Sequence, residues 1–255
     1  MDIKIVFENE EVLVLNKPAG LIVHNDGRTK EPSLSDWVIE KYPENINLLN
    51  EIAVFFETTD MNYDKAEEYF IRARKVDPEN PVILGNYAAF LLNIRNDQDQ
   101  AENYFSKAVN LDPSTVNLGN YAHFLSVVGN YQEAEKYFKK ALEKTTNNAN
   151  NLGNYAHHLI VSKQDFTKAE VYIDMAFNLA TNEDGLQSEL WFYRYAHFPE
   201  YRVKTEKELE KLLKKGSKSI AKATNNWKFS IKGQDIVVDG SKIAKRPFDR
   251  IGGKQ

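Results

Sequence analysis

The sequence predicts a mostly α protein: an α-solenoid of helical hairpins, with short β-hairpin segments at the N- and C-termini. Three observations carry this reading. The pentapeptide Leu-Gly-Asn-Tyr-Ala occurs at 84–88, 118–122 and 152–156, a period of 34 residues both times; a fixed period of this size marks one supersecondary unit repeated along the chain. Around these copies, small and large apolar residues recur in one order: Ala66, Phe70, Ala73; Ala101, Phe105, Ala108; Ala134, Phe138, Ala141; Ala169, Ile173, Ala176. Steps of four and three place each trio on one helix face. Finally, Asp-Pro follows two of these segments, at 77–78 and 112–113, where proline cannot continue a helix.

The elements follow in order. Residues 1–45 open with "IKIVFENEEVLVLNKPAGLIVH", whose β-branched clusters around "NEE" and "KPAG" predict a β-hairpin and a further short strand. Residues 46–200 hold the array: four hairpins and the start of a degenerate fifth at "WFYRYAHF", where Tyr195, Ala196, His197 and Phe198 echo 121–124. In each hairpin the alanines permit close helix approach and the aromatic residue fills the gap beside them. Three hairpins carry one additional residue between their helices, as in "LLNIRNDQDQ", which is expected to lengthen the inter-helix turn and leave the packing face intact. Residues 201–222 predict a basic capping helix, since a solenoid must end on a polar face, and 223–255 a basic, β-rich tail.

Composition bounds the function. At 255 residues, 42% hydrophobic and 27% charged, the chain is of ordinary globular type. It has no cysteine, which removes disulfides, thiolate metal ligands and a cysteine nucleophile. No run of 18 apolar residues predicts a membrane span, and "MDIKIVFENE" carries neither a basic leader nor a long apolar stretch; a cytoplasmic location is expected. Residues 201–255 hold 15 Lys and Arg against 6 Asp and Glu, whereas residues 1–200 hold 18 against 31. The basic tail predicts either a solvated end or attraction to RNA or an acidic partner. There is no Walker loop, dinucleotide fingerprint, Gly-x-Ser-x-Gly or His-Glu-x-x-His, and no cofactor is expected.

The hairpin pattern resembles the tetratricopeptide repeat over roughly residues 46–215. The family's small residue on the first helix corresponds to Ala53, Ala88, Ala122 and Ala156, its turn glycine and tyrosine to Gly129 and Tyr131, and its terminal proline to Pro78 and Pro113. The resemblance implies a concave surface lined by the first helices, where peptides bind in the family. Asn86, Asn120 and Asn154 stand at the inward position, one per repeat. A carboxamide is donor and acceptor at once, so such a row either grips a peptide backbone or ties neighbouring helices together. His123, His157 and His197 follow the small alanine and are expected to edge the same surface. One repeat apart, roughly 10 Å at helix-packing distance, they stand too far apart to share a metal at about 2 Å. Gly85, Gly119, Gly153 and Ala89 occupy sites where a carboxylate clamp needs Lys or Arg, which puts that subtype in doubt.

The N-terminal segment resembles the start of RluA-type RNA pseudouridine synthases: Lys17, Pro18, Gly20, Val23 and His24 match a Lys-Pro-x-Gly turn and Val-His, and "SLSDWVIEKYP" the helix that follows. That family's essential aspartate lies in His-Arg-Leu-Asp, and no His-Arg-x-Asp occurs here. In the tail, "VVDGSKIAKRP" resembles the stretch upstream of that loop, but Asp249 lies too close to Arg246-Pro247. Two readings result. One is a non-enzymatic scaffold holding a peptide of a partner protein through Asn86, Asn120, Asn154, His123 and His157. The other is an RNA-associated protein, truncated or inactive as a synthase, contacting RNA through Lys17, Lys245, Arg246 and Arg250.

Overall fold

The computed structural model describes residues 3–8, 13–19, 33–58, 60–181, 183–201, 203–205, 207–208, 211, 228–231 and 234–237. The chain divides into two compact units, 1–83 and 84–255.

In the first unit, β1 (Lys4–Glu8) and β2 (Leu13–Asn16) pair antiparallel, with Lys4 opposite Asn16, Glu8 opposite Leu13 and a bulge between Ile5 and Phe7. The further strand expected after "KPAG" falls outside the described residues. Helix α1 (Leu34–Lys41) starts at a capping box in which Ser33 accepts from the Asp36 amide while Asp36 accepts from Ser33, two orphan amides satisfied reciprocally. Helices α2 (Ile46–Thr58) and α3 (Tyr63–Val76) form the first hairpin. Ala53, Ala66, Phe70 and Ala73 are fully buried in it, and Phe56 stacks on Tyr69 at 5.6 Å and 12°.

Helix α4 (Pro81–Phe90) runs from the first unit into the second. Then come α5 (Gln98–Leu111), α6 (Thr115–Val127), α7 (Tyr131–Lys144), α8 (Ala149–His158), α9 (Phe166–Leu179) and α10 (Asp184–His197). The predicted trios are buried without exception: Ala101, Phe105 and Ala108 on α5, Ala134, Phe138 and Ala141 on α7, Ala169, Ile173 and Ala176 on α9. Helix α6 packs on α7 within its hairpin and on α8 of the next, and α8 packs on α9 and α10. The first helix of the fifth unit begins at Asp184, ahead of the expected "WFYRYAHF". At the end of α10, Arg194 is buried, pairs with Asp174 of α9 and lies over the rings of Phe177, Trp191 and Tyr201. A buried guanidinium is tolerated when a carboxylate and aromatic faces replace its water. Beyond it, the described residues of 203–211 are helical, and β3 (Lys228–Ile231) pairs antiparallel with β4 (Gln234–Val237).

The additional residue between helices is accommodated in two ways. After α4 and α8 it is wound into a single π-helical turn, Leu91–Arg95 and Leu159–Lys163, rather than lengthening the loop as expected. In the first hairpin no π-helical turn occurs among the described residues, and α3 begins at Tyr63 behind the Asn62 N-cap. Every turn then closes alike, with one left-handed residue followed by the N-cap of the second helix: Met61-Asn62, Asn96-Asp97, Gly129-Asn130 and Gln164-Asp165. Only Gly129, at φ 86°, takes this conformation without a β-carbon penalty.

The first helices meet through a glycine and an asparagine. A β-carbon on Gly119 would stand 1.9 Å from the Asn151 amide oxygen of the next repeat. The Asn151 Nδ2 in turn donates to the Thr115 carbonyl at 2.8 Å, and Asn151 is buried. Asn117 lies against Gly85 in the same way but more loosely, 3.4 Å from the β-carbon position, and donates to the Asp112 carbonyl.

Two outcomes are expected in urea unfolding at neutral pH. Gly119→Ala is destabilising by about 1–3 kcal/mol, because the buried carboxamide must move, while Gly85→Ala is neutral or stabilising by up to about 1 kcal/mol through helix propensity. Gln164→Gly stabilises by about 1 kcal/mol, and Gly129→Ala destabilises by a similar amount; equal effects of opposite sign to these would refute the left-handed assignment.

Candidate functional site

The first helices of the second unit present the predicted residues as follows. Asn86, Asn120 and Asn154 lie half-buried on α4, α6 and α8, one repeat apart. The buried asparagines that tie repeats together are different ones, Asn117 and Asn151. Their signal is visible in the sequence, since Asn-Leu-Gly-Asn-Tyr-Ala is a hexapeptide at 117–122 and 151–156.

His123 and His157 come closer than helix spacing suggests, because their side chains lean together: the ring centroids are 6.5 Å apart. His157 stacks on Tyr193 of α10 at 5.1 Å and 13°, and the Tyr193 hydroxyl donates to Glu189. Burial pushes the His123 imidazole down to about 4, and burial together with the neighbouring His123, His197 and His158 pushes His157 down to about 3. Both rings are therefore neutral near pH 7. His197 lies beside Phe166 of α9, 6.1 Å between ring centroids. Among the described residues no group of three or more His, Asp or Glu is placed to hold a metal ion.

A second polar cluster joins the third and fourth hairpins. His158, fully buried on α8, has Nδ1 3.0 Å from Ser126 Oγ of α6 and Nε2 3.1 Å from the Glu135 carboxylate of α7. Glu135 also accepts from Tyr155 at 3.1 Å and pairs with Lys163 at 2.9 Å and Lys139 at 3.3 Å. Burial alone would raise the Glu135 carboxyl, but hydrogen bonds from Lys163, Lys139 and Tyr155 and the Lys163 charge outweigh it and hold the group down to about 2. An acceptor-only carboxylate fixes the tautomer: Nε2–H donates to Glu135, and Nδ1 accepts from the Ser126 hydroxyl. Serine, histidine and glutamate in sequence suggest a nucleophile, but Ser126 is 4% and His158 0% exposed. No substrate carbonyl reaches them, and the group acts as a latch between repeats.

For the RNA reading, Lys17 is exposed, and its ammonium donates to the Pro18 carbonyl at 3.3 Å. Lys245, Arg246 and Arg250 lie outside the described residues, as do Gly20, Val23, His24 and Asp249. No helix among the described residues is long and apolar enough to cross a membrane.

Acid should unfold the second unit along a defined course. Below the ordinary imidazole value of about 6.5 the unfolded chain takes up protons that folded His123 and His157 refuse, so stability falls from there down to about 4 and about 3. Glu135, depressed to about 2, contributes stability above its unfolded value of about 4.5 that is lost as pH falls through that range. The His123→Leu, His157→Leu double variant flattens the profile between pH 6.5 and 4, and Glu135→Gln flattens it only below about 4.5; melting curves across pH check both.

Comparison with known proteins agrees with the helical-hairpin fold. Residues 117–143, the α6–α7 hairpin, match the family model for the tetratricopeptide repeat. Among solved structures, PilW, a widely conserved type IV pilus biogenesis factor, superposes with a TM-score of 0.53 and 20% identity, over 73% of this chain and 86% of that one. The Cut9–Hcn1 hetero-tetramer of the APC/C gives 0.56 and 16%, over 76% and 36%. Yeast Tom70 gives 0.52 and 16%, over 89% and 48%. Among curated proteins, a 39-residue stretch is 74% identical to ribonuclease P protein component 1 of Nitrosopumilus maritimus. A 48-residue stretch is 46% identical to an uncharacterized RNA pseudouridine synthase of Helicobacter pylori strain J99. The chain spans less than half the length of these curated relatives, 44% and 15% respectively. The α6–α7 hairpin thus matches the tetratricopeptide repeat, and the fold of the chain is the α-solenoid type that such repeats build.

Proposed function

We propose that the chain is a protein–protein interaction scaffold that holds a peptide segment of a partner along the concave face of its tetratricopeptide repeats. The observation that carries this reading is the repetition of half-buried polar side chains on successive first helices: Asn86, Asn120 and Asn154, and beside them His123 and His157. Tetratricopeptide arrays serve as interaction scaffolds through this surface, and Asn117 and Asn151 supply buried ties between repeats. The domain plan goes with it: 1–45 as an N-terminal appendage, 46–200 as the binding array, 201–222 as a basic capping helix and 223–255 as a basic tail. The Asn86→Ala, Asn120→Ala, Asn154→Ala triple variant is expected to lose its partners in a pull-down while keeping its helicity. Recovery equal to wild type would remove the row from the site.

A second reading rests on the matches to ribonuclease P protein component 1 and to pseudouridine synthases, together with the 15 Lys and Arg of residues 201–255. In it the chain associates with RNA through Lys17, Lys245, Arg246 and Arg250, and the repeats recruit a protein to that RNA. Phosphate-driven binding weakens steeply with salt, by roughly a power of the salt concentration equal to the number of phosphates neutralised. Titrating a structured RNA at rising salt checks it: a steep slope that shrinks on Lys245→Ala, Arg246→Ala, Arg250→Ala supports the reading, and a salt-independent or absent interaction removes it.

A further inference from the structure

Asn86, Asn120 and Asn154 lie on first helices, whereas the second helices frame a cleft that the scaffold reading does not use. It lies between α5 and α7 and measures about 460 Å³. Buried Val109 of α5 and Leu118 of α6 form its floor, and both belong to an apolar cluster with Ala141. The half-buried Tyr137 and the exposed Pro113 flank that floor, and the exposed Lys140, Glu143 and Lys144 of α7 form one rim. Clefts of roughly 300–1,000 Å³ with an apolar lining and a few placed polar groups are the size that holds a ligand.

The rim lysines differ from the other lysines of α7. Lys136 pairs with Glu133, and Lys139 with Glu135. Lys140 lies over the Tyr137 ring, 4.9 Å from its centroid, and among the described residues neither Lys140 nor Lys144 has a carboxylate partner. Counted from the buried trio, the same two positions hold Lys107 and Leu111 on α5 and Met175 and Leu179 on α9, so the packing of a hairpin does not call for the pair. The helix dipole does not call for it either, since α5 and α9 both end with no basic residue in the last turn. Two cations without internal partners beside an apolar floor suit an occupant that brings an anion and an apolar group together. One turn apart, about 6 Å along the helix, the two ammoniums can each reach one oxygen of a carboxylate at about 2.8 Å. Glu143 on the same rim leaves one positive charge in excess; a single carboxylate balances it, whereas a run of phosphates is repelled by Glu143. We propose that the α5–α7 cleft is a second binding site, for a peptide segment of a partner protein that places an apolar side chain on Val109 and Leu118 and an adjacent carboxylate between Lys140 and Lys144. The site is independent of the first-helix face.

The test follows backbone amide shifts of the isotope-labelled full chain by NMR, with the capped peptide acetyl-Gly-Ser-Leu-Glu-Ser-Gly-amide as probe. At about 5 mM probe, shifts are expected at Val109, Leu118, Tyr137, Lys140 and Lys144, and none at Asn120, His123 or Asn154. Replacing the probe's Glu by Gln is expected to weaken binding about threefold to fivefold, and its Leu by Ser about tenfold. The Lys140→Gln, Lys144→Gln double variant should show the same loss with the Glu probe and none with the Gln probe, the signature of a direct pairing. Lys136→Gln, which removes a lysine already paired within α7, should leave the affinity unchanged. No shifts at the cleft, equal affinity for the Glu and Gln probes, or undiminished affinity in the double variant overturns the proposal. An oligouridylate that moves the same amides at lower concentration also overturns it and assigns the cleft to RNA. Shifts confined to Asn120, His123 and Asn154 remove this site and leave the scaffold reading standing; shifts at the cleft, with partners retained by the Asn86, Asn120, Asn154 triple variant, do the reverse.

Discussion

The close approach of consecutive first helices is the constraint on which the rest of the second unit depends. Where Asn151 meets Gly119, a carboxamide occupies the space of a side chain, and its Nδ2 spends its donor on the Thr115 carbonyl. The contact is possible only because one partner has no β-carbon, and it fixes how far the fourth hairpin is rotated and shifted on the third. The fully buried Ala122 and Ala156 continue the same narrow interface. At Gly153 the tie changes character: Leu190 and Leu186 of α10 fill the place of the asparagine. The last first helix is therefore held by apolar contact, with Arg194, Asp174 and the surrounding rings as the polar fastening at the edge.

With first helices set this close, polar side chains that face one another across repeats must either pair or point to solvent. His158, Ser126, Glu135 and Tyr155 close on themselves, with every ring nitrogen and the carboxylate engaged. A satisfied cluster of this kind rigidifies an interface, and it becomes expensive when one member is removed. His123 on α6 and His157 on α8 lie outside this cluster, their ring centroids 6.5 Å apart, with His157 stacked on Tyr193. Adjacent histidines on α8 thus have unlike surroundings: His158 bonds to Ser126 and Glu135 of the preceding hairpin, and His157 packs against the His123 and Tyr193 rings.

Much of this was legible in the sequence because helix packing in repeats is written in residue size. The small-large-small trios and the Leu-Gly-Asn-Tyr-Ala copies report buried faces directly: every member of the trios is buried, as are the leucine and the final alanine of each copy. What did not show was chemistry that depends on direction. That Asn117 and Asn151 face the glycine of the preceding repeat while Asn120 and Asn154 do not is a matter of three helical steps, a rotation of about 300°, and composition is blind to it. The Ser126–His158–Glu135 latch joins residues on three helices, up to 32 positions apart, with no motif to announce it. Nor did the likeness to ribonuclease P protein component 1 show. The segment resembling pseudouridine synthases, by contrast, stood out through a short turn motif, and a curated match of similar length accords with it.

The π-helical turns have a consequence for how such repeats are exchanged. From Ala88 to Ala101, and from Ala156 to Ala169, the two helices of a hairpin are offset by 13 residues; from Ala122 to Ala134 the offset is 12. The link to the following first helix compensates, with 21 residues from Ala101 to Ala122 and 22 from Ala134 to Ala156, so the period stays at 34. A constant repeat length therefore conceals an insertion matched by a deletion on the opposite edge. A splice that joins two hairpins within a loop would break that match and leave one residue in surplus or deficit. Joining them inside Leu-Gly-Asn-Tyr-Ala, where the copies are superimposable in both sequence and helical phase, carries each compensated pair across whole.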